Sequence, residues 1–479
     1  MPLPPDSRPH EAAVSVVIPT WNGNDRLHGC LASLIDPSIR AVIVVDNGSA
    51  PPLSLDDLSR HASSPVEIVR LRDNRGFAAG CNAGIARART PYVAVFNDDA
   101  HSGPRTFTHL VGCLRRQPRA GFAAPRSNQV RGRQLWRAPA PAHAALEIDY
   151  TDTAAIETRL TEQHAGRCED TELLSGLCLV AHRDTWVRLG GFDEEFGLGN
   201  YEDDDLSLRV RLDGRRLLIA HDAYVWHEGN ATFRALSIDY REQLGAQREL
   251  FEQRWRDTPL ALAELASFDG DQDVVMQLAP RLHECDAIER AWAAAPLARA
   301  LATLGRDDAA ALEWERVLRV APLHREAWCS IALHALTKRR DEEAAAMFTH
   351  IETVLPMDAT THAKVLTHRA RIHAERSDAL LGTSQQHAHA LLQRALLHVP
   401  GYRPAIELRA ALLLASNNVP EARALLELLS DSNNADVLAN LGIARFLTGD
   451  MRGARDALRA GAMLGGPDSI AAKNFALVS

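Results

Sequence analysis

Four short apolar runs, Val14–Ile18, Ala41–Val45, Val66–Leu71 and Tyr92–Phe96, constrain this chain more than any other feature. Each is nearly continuous in apolar residues, which predicts strands buried on both faces. Between the first two, Leu27, Leu31 and Leu34 recur at helical spacing and predict an amphipathic crossover helix. Such strand–helix–strand alternation makes a parallel sheet. Ligands of these sheets gather beyond the carboxyl ends of the strands. Those ends are polar and small here: Pro19-Thr20-Trp21-Asn22-Gly23, Asp46-Asn47-Gly48-Ser49 and Asn97-Asp98-Asp99.

From about Pro259 the chain becomes rich in Ala and Leu, and helical. Ala310, Ala344, Ala388, Ala422 and Ala454 form a series at spacings of 34, 44, 34 and 32. Pro322, Pro356 and Pro400 follow the first three at a constant interval, and Ala298, Ala332, Ala410 and Gly442 precede four of them. Small residues let the two helices of a hairpin pack closely, and the proline starts the next unit. The pattern looks like tetratricopeptide repeats, whose period is about 34, with an insertion of about ten residues near Ser377–Gln386. A plain helical bundle is the alternative.

Composition narrows the partners. With 46% apolar and 24% charged residues over 479 positions, the chain is globular rather than disordered. A net charge of -9 argues against nucleic acid. Lysine is scarce beside arginine (Lys338, Lys364 and Lys473 only), which reads as genomic bias. The seven cysteines are scattered without a CxxC pair, which predicts free thiols in a reducing compartment and neither disulfides nor a zinc site. The opening MPLPPDSRPHEAA lacks an apolar leader core, and no stretch approaches the ~18 apolar residues of a membrane span. The expectation is a cytoplasmic protein, with any membrane association peripheral at the inner membrane.

Several polar groups carry chemistry. Asp46 can accept hydrogen bonds from a base or ribose hydroxyl, or can cap the helix that follows. In Asn74-Arg75-Gly76-Phe77, glycine permits close backbone approach to a ligand. Arg75 is either a phosphate contact or a surface charge. Asp98 and Asp99 repel each other unless a cation or another group compensates, and magnesium commonly joins one or two carboxylates to substrate phosphates. Glu202-Asp203-Asp204-Asp205 opens a helix, where the dipole favours acids. Between Asp99 and Glu147 there is no acid, but arginines stand at 105, 115, 116, 119, 126, 131, 133 and 137. They could steer a doubly charged donor or a phosphorylated lipid acceptor, or form a solvated helix face.

The ordered set VSVVIPTWN, VIVVDNGS, NRGFAAGCNAGI, VAVFNDDA, GGFDEEF, YEDDDLSLR and VWHEG resembles family 2 glycosyltransferases of the GT-A fold, nearest their bacterial rhamnosyltransferase-like branch, over residues 12–235. The resemblance implies a Rossmann-like α/β GT-A domain over 13–255 behind a flexible 1–12. With the repeats, this leaves a helical linker over 256–295 and an all-α tetratricopeptide solenoid over 296–479. It implies a nucleotide-diphosphate sugar (UDP-, dTDP- or GDP-linked) at Pro19, Thr20, Asn22, Asp46, Asn74, Arg75, Gly76, Asn82, Asn97, Asp98, Ser175 and Gly176. Asp99 and His227 map to metal ligands for Mn2+ or Mg2+, although Asn97 stands where many members carry Asp. Asp203 maps to the catalytic base, with Glu202 as second choice, and the implied reaction is an inverting single displacement. Fusion to repeats implies an acceptor hydroxyl, or less readily a thiol, on a protein or peptide such as flagellin. The alternatives are transfer to a lipid-linked glycan of surface polysaccharide, with the repeats mediating homodimerisation, and a non-catalytic adaptor with a relic transferase domain.

Overall fold

Alternation of side-chain direction along the strands generates two cores, one on each face of a sheet. In the computed structural model, which describes residues 12–137, 149–229, 240–357, 359–375 and 381–478, nine strands form one mixed sheet. They are β1 (Val14–Thr20), β2 (Ile39–Asn47), β3 (Val66–Leu71), β4 (Tyr92–Phe96), β5 (Ala100–Ser102), β6 (Ala120–Ser127), β7 (Cys168–Thr171), β8 (Cys178–His182) and β9 (Arg216–His227). The order is β3-β2-β1-β4-β8-β6-β9-β5, with β7 also paired on β9. Seven helices interleave them: α1 (Asn24–Ser33), α2 (Leu55–His61), α3 (Gly76–Arg87), α4 (Thr106–Arg116), α5 (Thr153–His164), α6 (Arg183–Leu189) and α7 (Glu202–Leu212).

On one face, Val14, Val16 and Ile18 of β1 pack with Val42, Val44, the Leu27–Leu31–Leu34 stripe and Phe107 of α4. On the other, Val17, Ile43, Val45, Val93 and Val95 pack with Ala78, Cys81 and Ile85 of α3 and Trp186 of α6. Each such buried side chain contributes roughly 1.5–3 kcal/mol, so β1 and β4 anchor the sheet from both faces. β3 departs from the expectation of burial on both faces: it is half-buried and pairs only with β2, at the sheet edge. Its charges explain why. Glu67 meets Arg87 and Arg70 reaches Asp46, and an edge strand tolerates such residues. β1 to β4 are parallel, but β8 joins β4 antiparallel, so the sheet is mixed rather than wholly parallel.

Beyond Pro259 the chain is helical. The first compact unit runs on through Lys338 and so takes in the helices Ala287–Thr303, Asp307–Val320 and Arg325–Thr337 beside the sheet. The second holds most of the chain after Arg339. The small residues of the repeat series (Ala298, Ala310, Ala332, Ala344, Ala388, Ala410, Ala422 and Ala454) are all buried. A Cβ on Gly442 would lie 2.5 Å from Leu458 Cγ, which shows how closely that helix pair approaches. The long interval lengthens two helices: Ala359–Glu375 and Leu381–His398 have 17 and 18 residues, against 13 and 14 in the pair before. Residues 377–380 of the expected insertion lie outside the described residues. All seven cysteines are free. No helix among the described residues is long and apolar enough to cross a membrane.

Candidate active site

Beyond the carboxyl ends of β1 and β4 lies a cavity of about 590 Å3. Of the residues singled out in the sequence, Pro19, Thr20, Asn74, Gly76, Asn97, Asp98, Asp99, Ser175, Gly176, Glu202, Asp203 and His227 line it. Asn22, Asp46, Arg75 and Asn82 do not, because their polar groups are committed to the loops. Asp46 accepts from the backbone N–H of Ser49 (2.9 Å) and Leu53 (3.0 Å), so it shapes the turn after β2. Asn22 accepts from Ala50 N–H at 2.9 Å and joins the first two loops. Arg75 pairs with Glu194 at 2.9 Å, and Asn82 holds the backbone of Phe192 from both sides.

The strand ends deliver the acids. Asp98 Oδ2 accepts from the Thr20 hydroxyl at 2.5 Å, while burial, with the charge of Asp99, pushes its carboxyl up to about 6. β9 brings His227 Nε2 to 3.2 Å from Asp99 Oδ1. Burial works against both charges, yet the contact prevails: Asp99 is held below its usual range and His227 above its own. His227 Nδ1 donates to the Gln129 carbonyl at 2.9 Å, which leaves Nε2 to face Asp99. Without a second proton these two are acceptor against acceptor, and either a proton or a cation must lie between them. Asn97 Oδ1 is buried without a partner among the described residues. One nitrogen and one carboxylate oxygen 3.2 Å apart fit a divalent cation that draws its remaining ligands from a diphosphate and water.

α7 supplies the second half of the site. Asn200 and Tyr201, which precede it, both hold left-handed backbone (φ 75° and 67°), strain of a kind that clusters at functional sites. Asp203 Oδ2 accepts from Gly176 N–H at 3.1 Å, and its Oδ1 from Asp204 N–H at 3.1 Å and from Arg131 at 3.3 Å. Glu202 is buried, and burial together with the Asp203 charge holds its carboxyl well above the usual range. The same causes push Asp204, the other partner of Arg131, up to about 7.

Members of the arginine run are engaged by separate partners. Arg126 donates to the carbonyls of Arg133 and Leu135, and Arg133 pairs with Glu169 (2.7 Å) and Glu326 (2.8 Å). Arg131 alone of the run lines the cavity. The acids that answer these cations come from distant segments, which an acid-free window cannot reveal. Asn47 was also missed. It donates to Asn74 Oδ1 (3.0 Å) and the Gly76 carbonyl (2.9 Å), and it accepts from Arg75 N–H (3.0 Å). Its position beside Asp46, at a strand end, was the available signal.

Gly76 holds φ at 87°, and a Cβ there would fall 1.9 Å from the Gly197 carbonyl oxygen. Left-handed backbone alone costs an alanine about 1–2 kcal/mol, and the overlap adds to it. Gly76→Ala is therefore expected to lower stability by at least that amount and to displace the 197–201 loop. A denaturation midpoint equal to the parent's would contradict the contact.

Residues 15–165 match the family model Glycosyl transferase family 2. The pre-mycofactocin glycosyltransferase of Mycobacterium tuberculosis is 30% identical over 228 residues, 46% of this chain and 45% of that protein. The N-acetylglucosaminyl-diphospho-decaprenol L-rhamnosyltransferase of the same organism is 27% identical over 235 residues, 44% of this chain and 75% of that protein. This chain thus spans less than half the length of the first relative. Among solved structures, GalNAc-T7 with UDP, GalNAc and Mn2+ aligns at 17% identity and a TM-score of 0.35 over 45% of this chain and 43% of that one. The matched motifs, the mixed GT-A-like sheet and the helical hairpins agree: this chain carries a family 2 glycosyltransferase domain followed by tetratricopeptide-like helical repeats.

Proposed function

We propose that this protein is an inverting glycosyltransferase that moves a sugar from a nucleotide-diphosphate donor to a hydroxyl acceptor. The observation that carries it is one cavity lined by Asp99 with His227 and by Asp203 on Gly176. Pro19, Thr20, Asn47, Asn74 and Gly76 cradle the donor, with Asn97 and Asp98 beside its diphosphate, while Asn22, Asp46, Arg75 and Asn82 hold the loops that form this cradle. Asp99 and His227 would hold Mn2+ or Mg2+, which when bound supplies Lewis-acid stabilisation of the leaving diphosphate. Asp203, fixed by the Gly176 N–H, takes the acceptor proton. Glu202, whose carboxyl is held well above its usual range by burial and the Asp203 charge, is the weaker candidate.

The repeats, in this reading, select a polypeptide acceptor, since such arrays present extended surfaces to peptides and proteins. The rhamnosyltransferase match, across 75% of that relative, favours a second reading in which the acceptor is a lipid-linked glycan. A panel of UDP-, GDP- and dTDP-sugars with Mn2+ or Mg2+ tests the core claim through release of nucleoside diphosphate. Release from at least one donor, suppressed by chelation, is expected. No release and no binding across the panel would sink the proposal.

A further inference from the structure

The loop after β6 touches most of the groups on which the proposed reaction depends, and it is fastened on both sides of Arg131. Before it, Asn128 accepts from the His227 backbone N–H at 2.8 Å and Gln129 holds the His227 ring. After it, Arg133 is pinned to Glu169 and Glu326, and Gln134 accepts from Ser175 N–H at 2.7 Å. The backbone is therefore held while the Arg131 side chain stays 43% exposed, with the two carboxylates of Asp203 and Asp204 as its only salt-bridge partners among the described residues and the Tyr201 ring 6.0 Å beneath its head group.

Charge decides what that head group is for. Asp98, Asp99, Glu202 and Asp203 stand in the cavity wall, and Arg131 is the only arginine or lysine lining it among the described residues. A guanidinium matches phosphate oxygens in paired hydrogen bonds, whereas a partly exposed ion pair with a carboxylate is weak and readily exchanged. We infer that Arg131 is a donor-exchangeable clasp. In the free protein it covers Asp203 and Asp204, and an incoming nucleoside diphosphate draws it away. The same movement contacts the donor and uncovers Asp203 for the acceptor hydroxyl. This rests on the transferase reading above and adds to it the residue through which donor binding exposes the base.

The signature is a pair of opposite effects that a static structural arginine would not produce. Binding of UDP, GDP and dTDP with Mn2+ to the full chain is measured by calorimetry, and the tightest ligand of the parent is carried forward. Arg131→Ala is expected to weaken it about tenfold or more, with partial recovery in Arg131→Lys. Asp204→Asn, which loosens the clasp, is expected to tighten it roughly two- to fivefold, the worth of a partly exposed ion pair. Should Arg131→Ala not fold, Arg131→Ala/Asp204→Asn removes an acid together with the cation and carries the same expectation of weakening. Unchanged affinity in the arginine variant, or no tightening in Asp204→Asn, overturns the clasp and leaves the transferase reading standing. A parent that binds none of the three nucleotides overturns the transferase reading itself.

Discussion

Replacing Asp203 by Asn is expected to slow transfer roughly 10²–10⁴-fold, the usual contribution of a positioned general base. Donor affinity should not fall. The amide keeps an oxygen for the Gly176 N–H at 3.1 Å but cannot accept the acceptor proton. Glu202→Gln is the control, and it should retain most of the rate. Glu202 is buried, its Oε2 has no partner among the described residues, and its carboxyl is held well above the usual range. Glutamine imitates the protonated form that this environment favours. The two variants separate in stability as well. A carboxyl raised in the folded state binds a proton that the unfolded chain has released, so the parent loses stability as pH rises above the unfolded-state value. Glu202→Gln removes that loss and should gain on the parent as pH increases from about 4 toward neutrality. Initial rates at saturating donor decide the matter. An active Asp203→Asn beside an inactive Glu202→Gln would move the role of base to Glu202.

Arg216→Met should cost about 3–5 kcal/mol of stability, the range for stranding one member of a buried ion pair. Arg216, at the start of β9, holds Asp170 of β7 through two hydrogen bonds of 2.7 Å, and both side chains are fully buried. Burial already pushes the Asp170 carboxyl up against this pairing. Without the guanidinium it would be pushed up further. The folded variant then binds a proton that the unfolded chain has shed, so its deficit grows as pH rises from about 4. Denaturant titrations of parent and variant at two pH values measure both size and slope. A deficit that shrinks with rising pH would show that Asp170 is solvated or paired in another way.

Residues of a single segment were legible in the sequence, whereas those that act through a distant segment were not. β1, β2 and β4 announce themselves as apolar runs because both of their faces are buried. The alanine series announces the hairpins because each close helix contact excludes a larger side chain. Asp98, Asp99, Glu202, Asp203 and His227 are legible through their motif neighbours. β3 misleads, since an edge strand needs only partial burial and tolerates Glu67 and Arg70. Asp46 is ambiguous for another reason: a carboxylate at a strand end can serve a ligand or its own loop, and only the positions of the Ser49 and Leu53 N–H groups tell them apart. The arginine run looks like a positive patch because the acids that answer it lie far along the chain, Asp203 for Arg131 and Glu169 for Arg133.

The acids of β7 and the position that follows it limit how this chain can be recombined. Asp170 also accepts the Leu323 N–H at 2.7 Å, and Glu172 is held by Arg299 (2.6 Å) and His324 (3.2 Å). A piece ending at residue 255 would keep the cavity wall up to His227 and yet take the Leu323 N–H from Asp170 and both Arg299 and His324 from Glu172. The shortest autonomous piece should instead run through Lys338, so chimeras that exchange the repeats should be joined beyond that residue.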